Sequence, residues 1–356
     1  MNEQLTDIDL HSAGFHMPPE WHPHAATWLA WPHNQETWPK NLSEARDEFW
    51  QLAEAIAKDE PVCLIADPSI RPNNTDLSNW PTRHSNSNIR WIELPTNDAW
   101  MRDYGPTFCI NNTTQQLAAV DWHYNAWGGK YPPYDADQQV ASKILNQLEG
   151  KPDCLHIQPK LCLEGGAIEI DSDGTLLCTA SCAMNENRNP NLPAATLVER
   201  LQETLGAKSV IWLPGDSIEG DDTDGHIDQL ARFTPSDSIL YAWSDASEAQ
   251  QHRLTGNRDA LRRAVDCGSL QKELVPLPLP DPVYFHETRL PASYCNFYIT
   301  NRSVIVPQFD MPQDLTAIEI IQQHFPNHQT VGLPSRHLLV GLGSFHCLTQ
   351  QQPQLL

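Results

Sequence analysis

The sequence predicts an α/β protein assembled from repeated units, and three features carry that expectation. A short β-rich run ending in proline recurs five times along the chain. Apolar runs of strand character follow these phrases. Between them lie stretches with apolar residues at three- and four-residue spacing, the signature of helices packed on one face.

The phrases are "IRWIELP" ending at Pro95, "CLHIQP" at Pro159, "SVIWLP" at Pro214, "ELVPLPLP" around Pro278 and "TVGLP" at Pro334. Their spacing of roughly sixty residues suggests five units, each longer than the usual propeller blade motif. An ordinary mixed sheet in which Leu-Pro strand ends recur by chance is the alternative. Strand runs after the phrases include "TLLCTA", "DSILYAW" and "NFYITNRSVIVPQF". Helical patterns span 42–59, 137–150 and 192–206, and the last two end on a glycine, a favoured helix stop. No Gly/Ser tract or block of like charge marks a boundary, so residues 1–356 are expected to form a single domain.

Composition narrows the function classes. Of 356 residues, 40% are hydrophobic and 19% charged, a balance typical of a folded soluble chain. A net charge of -22 disfavours nucleic acid and anionic membranes as partners and suits a cationic ligand. The start, "MNEQLTDIDLHSAGFH", lacks the basic and apolar regions of a secretory signal. No apolar run approaches the ~18 residues of a membrane span. Nine cysteines occur without a CxxC pair, the nearest being Cys178 and Cys182, so neither a disulfide framework nor a zinc ribbon is expected. A reducing, cytoplasmic setting fits.

Chemistry-bearing residues follow four of the five prolines. "TNDAWMRDYGP" carries Asp98, Arg102 and Asp103, and "KLCLEGGAIEI" carries Glu164. "GDSIEGDDTDGHIDQL" carries His226 and Asp228, and "GSFHCLTQQQP" carries Cys347. Individually each has a structural reading. Asp103 beside Gly105-Pro106 could cap a turn, Asp221, Asp222 and Asp224 read as a solvated acidic turn, and a lone cysteine is commonly a small buried hydrophobe. Glu164 after an apolar run is costly to bury without a partner. His226 and Asp228 alternate and would share one face of a strand, whereas His346 would point away from Cys347. If repeated units surround a common axis, equivalent strand ends converge and these groups share a pocket.

A thiol, an imidazole and several carboxylates favour a cationic substrate, because carboxylates alone disfavour a thiolate. A guanidinium matches carboxylates through its planar fork of donors and would help to lower the thiol pKa. His226 could then move protons to a leaving amine and from water. Zinc bound by His226, Asp228, Glu164 and Cys347 is a competing reading, although the spacing follows no known zinc pattern.

Seven stretches, in order "MPPEWHPHAATWLAWPHN", "NDAWMRDYGP", "LEGGAIEI", "NRNP", "DTDGHIDQ", "PASYCNFYI" and "HCLTQQQP", span residues 17 to 353. In these the chain resembles the agmatine deiminases of the Porphyromonas-type peptidylarginine deiminase family, within the guanidine-modifying (pentein) superfamily. The resemblance implies a five-fold pseudosymmetric α/β propeller and hydrolysis of agmatine to N-carbamoylputrescine and ammonia, with no cofactor and no metal. By position, Cys347 matches the nucleophile, His226 the general acid/base, Asp103 and Asp228 the carboxylates on the guanidinium, and Glu164 the support for imidazole and substrate. Trp100 is placed to line the pocket, with a cation–π contact to the substrate. A homodimer is the family-level expectation. Two stretches depart from the pattern: "GLGSFHC" stands where "GGGNIHC" is frequent, and "AIEIDSDG" puts Glu169 where a histidine is common. The core chemistry is expected to survive them, whereas recognition of the far end of the substrate is not carried over. Deimination of free, methylated or peptidyl arginine, and guanidine binding without turnover, are the alternative functions.

Overall fold

The computed structural model describes residues 9–68, 88–148, 154–245 and 247–356. In the first sheet, β1 (His24–Ala30), β2 (Val62–Ala66) and β3 (Ile89–Glu93) run parallel in chain order. The second, third and fourth sheets share one plan. An antiparallel pair is followed by a helix and a third strand parallel to the second. They comprise β4 (Thr107–Asn111), β5 (Gln116–Val120) and β6 (Cys154–Ile157), then β7 (Ile168–Ile170), β8 (Thr175–Thr179) and β9 (Ser209–Leu213). Next come β10 (Ala231–Phe233), β11 (Ser238–Trp243) and β12 (Glu273–Pro278). After a small hairpin of β13 (Tyr284–Phe285) and β14 (Thr288–Arg289), the plan returns in β15 (Tyr298–Ile299), β16 (Ser303–Gln308) and β17 (Gln329–Pro334). The last strand, β18 (Thr349–Pro353), lies antiparallel on β1. It thereby gives the first sheet the same antiparallel–parallel order and joins the two ends of the described chain.

All five proline phrases are strands, and each is an edge strand of its sheet: β3, β6, β9, β12 and β17. Proline lacks the N–H that an inner strand must donate, so an edge is where it is tolerated. Four of them are the third strand of the shared plan. The phrase at Pro95 is not, because β3 is an extra strand beyond β2. That spacing therefore mixed one non-equivalent strand with four equivalent ones.

Parallel neighbours need a long crossover, and a helix supplies it between β1 and β2, β5 and β6, β8 and β9, β11 and β12, and β16 and β17. Leu42–Ile56, Val140–Gln147 and Ala194–Leu205 correspond to the three helical patterns. Gly206 ends the third with a left-handed φ of 66, and an added Cβ would strike the Phe15 carbonyl. The glycine expected to end the second pattern, Gly150, lies outside the described residues. Phe49, Leu52 and Ile56 of the first helix are fully buried, each contributing about 1.5–3 kcal/mol on transfer from water. The helices Glu248–Asp266 and Asp314–His324 were not evident from the sequence. The first buries a narrow stripe, with Leu254, Ala260, Leu261 and Ala264 its apolar members, among charged residues.

Five short helical turns precede strands that begin the antiparallel pairs: Met101–Tyr104, Gly165–Ala167, Ile227–Gln229, Tyr294–Asn296 and Phe345–Leu348. Each touches the next in chain order, and the fifth touches the first. This ring carries the candidate site.

Candidate active site

Each turn delivers one or two polar groups toward the centre. Met101–Tyr104 supplies Asp103, Glu164 immediately precedes Gly165–Ala167, and His226 and Asp228 flank Ile227. Tyr294–Asn296 supplies Asn296, and Phe345–Leu348 supplies Cys347. All six side chains are buried. His226 and Asp228 sit on a tight turn rather than on the strand their alternation suggested, yet both face the site.

Asp103 accepts from the Gly166 backbone N–H at 3.0 Å and from Trp127 Nε1 at 2.9 Å. His226 Nδ1 lies 3.7 Å from Asp103 Oδ1, and Nε2 lies 3.7 Å from Glu164 Oε2. Arg188 Nε holds Glu164 Oε1 at 2.8 Å. Asn296 Nδ2 donates to Cys347 Sγ at 3.2 Å, and that sulfur stands 3.5 Å from Asp228 Oδ2. Gly166 marks where these groups meet. A methyl there would fall 2.6 Å from His226 Nδ1, 2.8 Å from Asp103 Oδ1 and 3.2 Å from Asp228 Oδ2.

Protonation follows from this crowding. Burial raises the Asp103 pKa to about 6, helped by Asp228 and Glu164 and opposed by His226. Burial also pushes the Cys347 thiol well above its ordinary range, with Asp228 and Asp103 adding repulsion. For His226 burial disfavours the cation, but Asp103, Cys182 and Glu164 outweigh it and raise the pKa. Glu164 and Asp228 are lowered despite burial, Glu164 by His226 and Arg188, Asp228 by His346 and His226. A cation placed among these carboxylates would remove the repulsion that keeps sulfur protonated.

The cavity that reaches Cys347 has a volume of about 740 Å³. Trp100, Asp103, Trp127 and Cys347 are among its lining residues, and Trp100 packs on Trp38 at 5.4 Å. Glu36, Asp98, Asp137 and Asp222 also line it, whereas no lysine or arginine does among the described residues.

Several expectations are corrected. His346 does not point away: it lies on the Phe345–Leu348 turn, its Nδ1 2.8 Å from Asp228 Oδ2 and its Nε2 2.9 Å from Glu20 Oε2. A helical turn does not alternate faces as a strand does. Glu20 and Glu169 in turn bind the buried Arg232. Glu169 is thus part of a charge network beneath Asp228 and does not line the cavity, whereas Leu342 and Gly343 of the other divergent stretch do. The acidic turn is not simply solvated. Asp224 pairs with Arg188 and Lys130, Asp221 accepts from Thr223 and Gly225, and Asp222 accepts from Tyr131. The four proposed zinc ligands do not come together as one set. The groups that do, among the described residues, are Glu164–Cys182–His226 and Glu20–Glu169–His346, and Arg232 occupies both carboxylates of the second.

Asn296, an amide and so not an ionisable candidate in the sequence, fills the place left open after Pro278. The sequence candidates also omit Trp127, Arg188 and Gly166. Asn296 and Arg188 lie in "PASYCNFYI" and "NRNP", stretches that carry the family resemblance, so a signal was present. Trp127 had none: its position depends on a left-handed backbone, φ 56, in "NAWGG". Of the remaining eight cysteines, for which core packing is the expectation, seven are buried and Cys267 departs from it by being exposed.

Known proteins resemble the chain along nearly its whole length. The family model for Porphyromonas-type peptidyl-arginine deiminase matches residues 16–353. The agmatine deiminase of Ectopseudomonas mendocina is 38% identical, with 96% of each chain covered, and that of Pseudomonas aeruginosa is 36% identical, again covering 96% of each. Among solved structures, a C. jejuni agmatine deiminase variant with substrate bound superposes with a TM-score of 0.85 at 30% identity, covering 96% of this chain and 97% of that one. The Enterococcus faecalis agmatine deiminase gives 0.88 at 29% identity, covering 99% and 100%. A Microseira wollei amidinotransferase, 11% identical with a TM-score of 0.54 and covering 96% and 99%, shares the fold. The chain belongs to the Porphyromonas-type peptidyl-arginine deiminase family.

Proposed function

We propose that the protein hydrolyses agmatine to N-carbamoylputrescine and ammonia. The observation that carries the choice of substrate is the acidity of the cavity wall: five carboxyl groups, Glu36, Asp98, Asp103, Asp137 and Asp222, and no lysine or arginine among the described residues. Arginine would bring an α-carboxylate into that wall without a cationic partner. Agmatine presents a guanidinium at one end and an ammonium at the other, and both ends suit acidic surroundings.

Asp103 and Asp228 grip the guanidinium and hold its carbon beside Cys347. With the guanidinium bound, the Cys347 thiol gives its proton up to solvent and the thiolate attacks that carbon; protonated His226 then gives its proton to the departing nitrogen, releasing ammonia and leaving a thiouronium on Cys347. His226 next takes a proton from water, which attacks the same carbon; the C–S bond breaks and the ureido product leaves. Glu164, anchored by Arg188, steadies the imidazole through both proton transfers. Asn296 supports the sulfur, and Trp100 offers its ring face to the cation. No metal or organic cofactor is used in this sequence.

We also infer that the sheets repeat around a pseudo-five-fold axis in one domain spanning residues 1–356. The shared strand order and the ring of five turns support this. A cytoplasmic homodimer that binds no nucleic acid completes the proposal, supported by nine free cysteines and a net charge of -22 for location and partners, and by the family resemblance for assembly. Ammonia release from agmatine, free arginine, a methylated arginine and an arginyl peptide, compared at equal concentration, tests the reading. Agmatine should be turned over with much the highest kcat/KM; a preference for any arginine-containing substrate would refute it.

A further inference from the structure

Cys182 has no part in the proposed reaction, yet its sulfur lies against the machinery. It stands 3.7 Å from Glu164 Oε2, the same oxygen that lies 3.7 Å from His226 Nε2. All three donor atoms lie within 4.8 Å of one another. With Zn–S near 2.3 Å and Zn–N or Zn–O near 2.1 Å, tetrahedral zinc places its ligand atoms roughly 3.4–3.6 Å apart, close to these spacings.

Two further observations distinguish this group from chance proximity. His226 is 1% exposed, and neither ring nitrogen has a hydrogen-bond partner among the described residues. Arg188 binds the other Glu164 oxygen, leaving Oε2 turned toward sulfur and imidazole. Thiolate, imidazole and carboxylate are the ligand types zinc prefers, and the thiolate and carboxylate charges balance a divalent ion.

We propose that Glu164, Cys182 and His226 form an inhibitory site for a thiophilic divalent cation, zinc in particular. Water fills the fourth position. Binding releases the thiol proton of Cys182 and the Nε2 proton of His226 to solvent and ties up that nitrogen, so the imidazole no longer relays protons. The inhibition rests on the role proposed for His226; the binding site itself does not.

The test uses the full chain with exposed Cys267 changed to Ser, which removes a competing surface thiol. Co²⁺ is the spectroscopic probe, and Zn²⁺ displaces it. One Co²⁺ per chain should bind with a thiolate-to-metal charge-transfer band. Zn²⁺ should stop ammonia release from agmatine until a chelator is added. Cys182→Ala should abolish the band and weaken Zn²⁺ binding at least tenfold, and Cys182→Ser, which keeps the side chain's size, should do the same if the alanine variant fails to fold. Cys347→Ser should retain both band and affinity. Absence of stoichiometric binding, a band that survives loss of Cys182, or a band lost with Cys347→Ser would each overturn the site; the last would assign the metal to the nucleophile. A metal-binding result is independent of turnover, so failure of the proposed reaction would be recognised separately.

Discussion

Gly166→Ala adds one methyl group, and the structure specifies what that methyl meets. Its carbon would lie 2.6 Å from His226 Nδ1, 2.8 Å from Asp103 Oδ1 and 3.2 Å from Asp228 Oδ2. Carbon prefers about 3.5 Å or more from such atoms, so the imidazole and the Asp103 carboxylate would each have to withdraw by somewhat under ~1 Å. Asp103 is held by Trp127 and by the Gly166 N–H itself, and His226 is enclosed on all sides, so neither moves without disturbing its neighbours. Displacement on this scale costs on the order of a hundredfold in rate. The barrier then rises by about 2.7 kcal/mol. Overpacking should lower stability by about 1–3 kcal/mol, which leaves the chain folded. Steady-state ammonia release from agmatine, with circular dichroism and thermal melting on the same samples, separates the two effects. Unchanged kcat/KM in a folded Gly166→Ala protein would show that the guanidinium is not held at this meeting point.

Cys347→Ser should keep the fold and abolish turnover; wild-type rates in that variant, measured as ammonia release, would exclude sulfur as the nucleophile. Asp103 must be ionised to grip a cation, and its pKa is raised to about 6, so kcat/KM should rise as pH climbs through about 6 and then level off. The effect on the free enzyme runs the other way: burial favours the protonated form, so its stabilising contribution is full below about 4, and is lost as pH passes about 6. Trp127→Phe removes a hydrogen bond that lowers this pKa and should move the acid limb of the kcat/KM profile to higher pH; an unmoved limb would detach Asp103 from it. His346→Gln should loosen Asp228 and leave part of the Glu20–Arg232 network unpaired, an effect of roughly 1–3 kcal/mol. A fall in kcat/KM of about tenfold or more, with secondary structure intact, is the expected reading.

Local information in the chain was enough for the alternation of helix and strand, because three- and four-residue apolar spacing at 42–59 and 192–206 reflects burial of one helix face. Proline-ended runs marked edge strands for an equally local reason, the missing N–H. Ionisable residues following four of the five phrase prolines exposed Asp103, Glu164, His226, Asp228 and Cys347 as candidates, and family stretches supplied their expected roles. Only the folded chain decided which of these groups touch. The partner of Cys347 is an amide, Asn296, 51 residues away in the chain; the partner of His346 is Asp228, 118 residues away. A linear spacing rule cannot reveal such pairs, since they depend on five turns meeting at one place. The orientation of His346 was misread because residue alternation holds on a strand and fails on a helical turn. Sequence thus determined the inventory of reactive groups and the local elements that bear them. Tertiary structure decided distances, and through distance and burial the protonation of each group, because desolvation and charge repulsion exist only once separate segments share a low-dielectric interior.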